Sequence, residues 1–274
     1  KTLQEKAEAI LLHKHHHGYD PENEDYKVYD ENEKSSDRIK KDEKILNQRA
    51  REIAAHIIQD EGLLDWILPK LFKDNYYRSY SFGQGLGQNL ATKRTILNLF
   101  REKLADIPPE ERSLGVVYGF MQQWKEEAPV DVEDALDEIA FDPILAPDYP
   151  GVQCALGINE RGFRRLMETV RYKTAPIESY IRIAWGRAHE SIDNTSLAKL
   201  LNRLLLEENG YRVVAEIFSM RLHGSNKDTG LISEELIETG RKLPRTGCLF
   251  RGGLQWRFEE RYRGFLGRCR TSAQ

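Results

Sequence analysis

The sequence predicts an all-α protein, built from antiparallel helix pairs that stack on one another. Three observations lead to this fold class. From Ile45 onward, apolar residues recur at three- and four-residue spacing. No stretch shows sustained two-residue alternation between turn signals, so strands are expected only as short pairs within 246–258. Helix pairs also recur along the chain at intervals of 31 to 35 residues.

The repeat rests on four eight-residue windows that begin at positions 97, 132, 163 and 197 and read LNLFREKL, VEDALDEI, FRRLMETV and LAKLLNRL. The first, fourth and eighth residues of every window are apolar, which is the spacing of one stripe along a helix. Each window is followed by a break and a second, more apolar helix, namely LGVVYGFMQQW, GVQCALG, IESYIRIAWGRAHE and YRVVAEIFSMRLHG. We therefore expect the second helices to form an inner layer and the first helices an outer layer.

Helix pairs at this period are typical of α-solenoids, and residues 90–245 resemble the HEAT-like pattern. The segments IRIAWGRAHESI, AEIFSMRLHG and ISEELIETGRKL, within a region of about 80–245, are similar to the helical C-terminal sensor arms of large bacterial multidomain NTPases of the STAND type. That resemblance implies a sensor or scaffold segment, in some cases one with a role in anti-phage defence. It assigns no catalytic residue, because the nucleotide-binding module is absent from this sequence.

Three regions are expected along the chain. Residues 1–44 combine a short amphipathic helix with an acidic loop over 18–44 that is too poor in aliphatic residues to order itself. Residues 45–245 form the helical-repeat domain. Residues 246–274 interleave arginines with aromatic residues, as in a terminal cap or an interaction tail. Because the chain begins at Lys1, within a helical apolar pattern, we expect it to be a piece of a longer protein.

Composition narrows the class of function. The 41 basic and 44 acidic residues give a formal net charge of −3, which excludes a uniformly basic sleeve for nucleic acid. The sequence has no apolar run near the length of a membrane-spanning helix, so we expect no membrane contact. Three widely spaced cysteines favour a reducing compartment over a disulfide framework or a zinc site. Without a secretory signal, the expected location is the cytoplasm.

One stretch is rich in glycine, SFGQGLGQ at 81–88, and it is interpreted as a loop before a helix that begins near Asn89. Backbone amides in such a loop can cradle an anion, and the candidate anion site comprises Arg78, Gly83, Gly85, Gly87, Lys93 and Arg94. No Gly-Lys-Ser/Thr follows and no βαβ unit surrounds it, so it is neither a P-loop nor a dinucleotide fingerprint. The favoured interpretation is a tight connection where glycines let two helices approach.

The histidine cluster HKHHH at 13–17 places His13 and His17 on one face of a helix, a spacing that can bind zinc, nickel or copper. Two ligands fall short of the three or four of a fixed site, so we predict no metal and no cofactor. There is no G-x-S-x-G elbow, and Cys154 lies on an apparent inner helix, where an inert thiol is expected. We therefore predict no catalytic residue.

A partner surface is predicted from the basic residues of the third helix pair and of the tail. The candidates are Arg161, Arg164, Arg165, Arg182, Arg187, Arg251, Trp256, Arg257 and Arg261. The predicted function is a non-catalytic recognition or scaffold segment that binds a protein partner. The alternative is a nucleic-acid-binding module that uses the basic residues of 161–187 and 241–270. The negative net charge and the acidic loop favour the protein partner.

Overall fold

The computed structural model describes residues 2–12, 35–88, 90–224 and 233–246, and every regular element within these ranges is helical. The α-helices are α1 Leu3–Leu11, α2 Ser35–Ile57, α3 Glu61–Lys73, α4 Ser79–Gly87, α5 Lys93–Ala105, α6 Gly115–Glu127, α7 Pro129–Ile139, α8 Tyr149–Leu156, α9 Glu160–Tyr172, α10 Asn194–Leu204, α11 Gly210–Gly224 and α12 Glu234–Thr246. Short 3₁₀ helices cover Leu90–Thr92, Pro109–Glu111, Ala146–Asp148, Ile177–Ala184 and Ala188–Ser191. The predicted all-α class is confirmed for the described residues. The strand pairs expected in 246–258 fall outside them from residue 247 onward.

Each of the four repeat windows lies within a single helix, in α5, α7, α9 and α10. Eleven of their twelve stripe positions are buried, and Phe163 is half-buried. Side chains three or four residues apart share one face of a helix, so this spacing located both the helices and the faces they bury. No helix among the described residues is long and apolar enough to cross a membrane.

The chain divides into two compact units, Lys1–Glu138 and Ile139–Gln274. In the first unit, α2, α4 and α6 pack side by side in that order, and α3 packs against α5 and α6. Four aromatic side chains run through this core with ring centroids 5.5, 5.1 and 5.7 Å apart: Phe72, Phe100, Phe120 and Trp124. Edge-to-face ring pairs of this kind stabilise a core beyond the area that they bury.

The glycine-rich stretch is a helix, α4, and its interpretation as a loop was wrong. A Cβ atom built on Gly83 would lie 2.0 Å from the carbonyl oxygen of Val116 in α6, and one built on Gly85 would lie 2.4 Å from that of Arg51 in α2. The glycines therefore let α4 contact the backbones of both neighbouring helices. The favoured interpretation of the sequence had also assigned these glycines to a place where helices approach closely. Burial between α2 and α6 outweighs the low helix propensity of glycine.

In the second unit, the 3₁₀ segment Ile177–Ala184 packs between α8 and α11, while α10 packs between α9 and α12. The prediction of an α-helix over 177–190 was wrong, because two 3₁₀ segments occupy it, separated by positive φ angles at Gly186 and Arg187. Ile177, Tyr180 and Ile183 lie three residues apart. That spacing places side chains on one face of a 3₁₀ helix.

The start of α2 also differs from the expectation of a loop over 18–44, because this helix begins at Ser35. The segment 35–44 is rich in Lys, Arg and Glu, which are good helix formers. Its low apolar content led to the loop prediction, yet it continues directly into the amphipathic pattern that begins at Ile45. A long helix can therefore begin in a polar turn once its later turns are packed.

Candidate interaction surface

Three turns of the second unit lie along one edge, each following a helix that contains one of the repeat windows. The turn after α9 contacts both of the others. Thr174 Oγ1 donates to the carbonyl oxygen of Ala140 in the turn after α7, at 2.9 Å. Lys173 Nζ lies 2.8 Å from Glu207 Oε2 in the turn after α10. These two contacts join successive turns into a continuous surface.

This edge carries a row of exposed apolar side chains, Phe141, Tyr172 and Leu206, which we call the apolar ladder. These residues are 46%, 60% and 74% exposed, respectively. The rings of Phe141 and Tyr172 meet edge to face with centroids 6.0 Å apart. Half of the six large apolar residues that are exposed in the described part of the chain belong to this row. Exposed apolar side chains that gather along one edge are a candidate interaction site.

A cleft of about 480 Å³ lies beside the ladder, between the turns that follow Tyr172 and Leu206. Its lining is mainly apolar, with hydroxyl and charged groups at intervals: Pro147, Val170, Lys173, Thr174, Ala175, Pro176, Ile177, Tyr180, Glu207 and Glu208. The hydroxyl of Tyr180 donates to Thr169 Oγ1 at 2.8 Å, and burial raises the pKa of Tyr180, so the phenol stays protonated. An apolar cleft with a few polar groups of this kind is suited to binding apolar side chains of a partner.

The charges beside the ladder fall into two groups. Glu207 is shared by Lys173 at 2.8 Å and Arg203 at 3.3 Å. Arg171 and Glu208 are both exposed and take no part in these ion pairs. The guanidinium of Arg171 lies over the ring of Tyr172, 5.5 Å from its centroid. The middle of the ladder therefore carries a cation, and its Leu206 end carries a carboxylate.

The candidate anion site lies in the first unit, and its parts have other roles there. Gly83, Gly85 and Gly87 lie within α4, where backbone N–H groups bond to carbonyls of the preceding turn. The cations are Arg78, which is buried beside the ring of Tyr77, Lys93, which pairs with Glu127 at 2.8 Å, and Arg94, which pairs with Glu138 at 2.7 Å. Both ion pairs join separate helices of this unit.

The basic residues of the third helix pair are dispersed. Arg164 is exposed and Arg161 is half-buried, but Arg165 is only 3% exposed, so its assignment to a partner surface was wrong. Arg182 stacks over the ring of Trp185 at 4.7 Å, and Arg187 pairs with Glu190 at 2.7 Å. The remaining candidates lie outside the described residues: Arg251, Trp256, Arg257 and Arg261.

Arg165 is buried because a partner in α8 holds it there. Its Nη1 donates to Gln153 Oε1 at 2.8 Å, and the same oxygen accepts from the hydroxyl of Tyr149 at 2.7 Å. Gln153 Nε2 in turn donates to the carbonyl oxygen of Gly157 at 2.8 Å. This buried network ties α8 to α9, so Arg165 supports the fold.

Two further groups were considered from the sequence, the histidine pair His13 and His17 and the thiol of Cys154. His13 and His17 lie outside the described residues. In the part of the chain that the structure describes, no group of three or more His, Cys, Asp or Glu side chains could hold a metal ion. Burial raises the pKa of Cys154 to about 12, which keeps the thiol protonated at neutral pH.

The ladder residues were missed when the sequence was interpreted, although a signal for them exists. Phe141, Tyr172 and Leu206 each occupy the tenth position counted from the start of their repeat windows. The equivalent residue of the first window is the exposed Asp106, so the apolar pattern begins with the second window. The available signal was an apolar residue at the end of, or just beyond, each of the three helices α7, α9 and α10.

Comparison with known proteins gives no independent information on this surface. No protein-family model matches the chain, and no curated protein and no solved structure matches it either.

Proposed function

We propose that this chain is a helical-repeat recognition segment of the HEAT-like type, which binds a protein partner through the apolar ladder. The observation that carries the proposal is the recurrence of an exposed apolar residue at one position of three successive repeats. In stacked helix pairs, equivalent positions line up along the stack and form an extended surface for one partner. The resemblance to bacterial sensor arms further supports a segment of a larger cytoplasmic protein, including one active in anti-phage defence.

The ladder contributes part of the free energy that such a contact needs, since association itself costs at least about 4 kcal/mol. Covering three side chains that are already partly exposed contributes roughly 1 to 2 kcal/mol each. The cleft beside them accepts further apolar groups from a partner. The hydroxyl of Thr174 and the ion pair of Lys173 with Glu207 hold the turns in place, so little ordering entropy is lost on binding.

A charge placed in the ladder is expected to abolish partner binding. Tyr172→Lys and Leu206→Lys should each lower recovery of the partner at least tenfold, because each replaces an apolar contact with an ammonium group that loses its hydration when the partner covers it. Recovery from cells would be measured by quantitative mass spectrometry after affinity capture of the tagged chain. Val130→Lys is the matched control, since Val130 is 69% exposed and lies outside the ladder. Equal losses with all three variants would contradict the proposal.

The alternative proposal, a nucleic-acid-binding module, draws on the exposed Arg164 and Arg182. It predicts binding to short single- and double-stranded nucleic acids that weakens steeply as salt rises, because released counterions drive such binding. Arg164→Glu and Arg182→Glu should weaken it, whereas Tyr172→Lys should not. Fluorescence anisotropy at low and physiological salt measures this. A chain that shows no binding at low salt has no such function.

A further inference from the structure

We infer that the partner presents an amphipathic α-helix to the apolar ladder, with an acidic residue beside its second apolar residue and a basic residue beside its last. The inference rests on the proposed function and names the kind of segment that the surface fits. It is drawn from the spacing of the ladder, from the position of the cleft and from two exposed charges that take no part in the ion pairs beside the ladder, Arg171 and Glu208.

The spacing of the ladder matches one stripe of a helix. The rings of Phe141 and Tyr172 are 6.0 Å apart. Leu206 follows the neighbouring helix α10, which packs against α9. Because packed helices lie about 8 to 10 Å apart, a ladder whose three members lie in line is about 14 to 16 Å long. At about 1.5 Å per residue, residues i, i+4 and i+11 of a helix cover this length and lie within about 40° of one another around its axis.

The cleft supplies the remaining position of such a stripe. It is bordered by Lys173 and Thr174, just after Tyr172, and by Glu207 and Glu208, just after Leu206. An apolar residue of the partner at i+7 or i+8 lies between the second and third contacts, over this opening. Its side chain would meet Val170, Pro176 and Ile177, which line the cleft. The full pattern is then the apolar stripe of an amphipathic helix.

An extended partner segment fits this surface less well. Strand-like peptides gain affinity from backbone hydrogen bonds to an exposed sheet edge. The described residues contain no strand, and the edge is formed by turns at the ends of helices. A helix satisfies its own backbone and offers only side chains, which is what an apolar ladder with a cleft can bind.

The exposed charges indicate which charges the partner helix carries and where it carries them. Arg171, stacked over Tyr172, favours a carboxylate beside the residue that contacts Tyr172. Glu208 follows Leu206 and favours an amine or guanidinium beside the residue that contacts Leu206. The three apolar contacts are unevenly spaced along the ladder. A partner helix with its two charges exchanged therefore places like charges together, whichever way the helix runs along the ladder.

The test uses labelled synthetic helical peptides and the whole chain. A matched peptide carries leucines at i, i+4, i+8 and i+11, with glutamate beside i+4 and lysine beside i+11. An exchanged peptide swaps only the two charges. Both are made in both sequence orders, because the ladder does not define the direction of the helix. Fluorescence anisotropy should show the matched pattern binding about fivefold tighter in one of the two orders.

Variants of the chain assign the preference to the named residues. Arg171→Glu should remove the preference for the matched peptide, and Arg171→Glu combined with Glu208→Lys should reverse it. Tyr172→Lys should abolish the binding of both peptides, whereas Val130→Lys should leave both affinities unchanged. These residues are all exposed, so thermal melting should show equal stability of the variants.

Two kinds of failure are distinguishable. Equal affinity for the matched and exchanged peptides, or absence of binding by every peptide, overturns the helix inference. If Tyr172→Lys still loses the cellular partner in that case, the proposed function stands with a partner of another shape. If Tyr172→Lys retains the cellular partner, the proposed function itself fails, whatever the peptides show.

Discussion

Replacing Gly83 by alanine should lower the free energy of unfolding by about 3 kcal/mol or more, because the added methyl group has no space. Its Cβ would lie 2.0 Å from the carbonyl oxygen of Val116 and 2.9 Å from the backbone nitrogen of Phe120. Both atoms belong to the backbone of α6, so relief requires the two helices to separate. Gly119→Ala should have a similar effect, since its Cβ would lie 1.9 Å from the carbonyl oxygen of Tyr80.

Urea-induced unfolding followed by circular dichroism measures this change. Gly62→Ala is the matched control, because Gly62 is also in a helix, its nearest neighbour is Asp60 Oδ1 at 3.4 Å, and it is exposed. Alanine there should be neutral or stabilising by up to about 1 kcal/mol, as expected from helix propensity alone. If Gly83→Ala behaved like Gly62→Ala, the close contact of α4 with α6 would be wrong.

Replacing Arg165 by alanine should cost about 3 kcal/mol of unfolding free energy, because it removes the charged donor of a buried network. Gln153 Oε1 would lose its bond to Arg165 and keep only the one from Tyr149. The aliphatic part of the arginine side chain would also leave a cavity between α8 and α9. The expected result is a lower midpoint in urea with an unchanged slope.

Arg164 provides the control for this prediction, since it is the adjacent residue in α9 and its side chain is exposed. Arg164→Ala should change the free energy of unfolding by less than about 0.5 kcal/mol. The two variants remove the same charge, so any difference between them measures burial rather than net charge. Equal stability of both variants would show that Arg165 faces solvent in solution.

Much of the fold was predictable because helical periodicity is a local property. The windows at 97, 132, 163 and 197 repeat an apolar stripe, and each proved to be one helix, because residues on one stripe must be buried together. The glycine-rich α4 was not predictable in this way. Local propensity argues against a helix there, and only its position between α2 and α6 explains the conformation.

The candidate site was only partly accessible from the sequence. The positions of Phe141, Tyr172 and Leu206 in the repeat can be counted, but whether a residue at the end of a helix is covered depends on what packs against it. The adjacent residues Arg164 and Arg165 also could not be told apart from the sequence. Arg164 faces solvent, whereas Arg165 bonds to Gln153, twelve residues away in the chain. A step of about 100° around the helix separates them.

The all-α class and the four helices that contain the repeat windows follow from residue order alone, because amphipathic spacing acts over a few neighbouring residues. The glycine-mediated contact of α4, the 3₁₀ geometry of Ile177–Ala184 and the exposure of the apolar ladder were decided by packing. These features depend on contacts between elements that are distant in the chain. Their free energies outweigh local propensities of less than about 1 kcal/mol per residue.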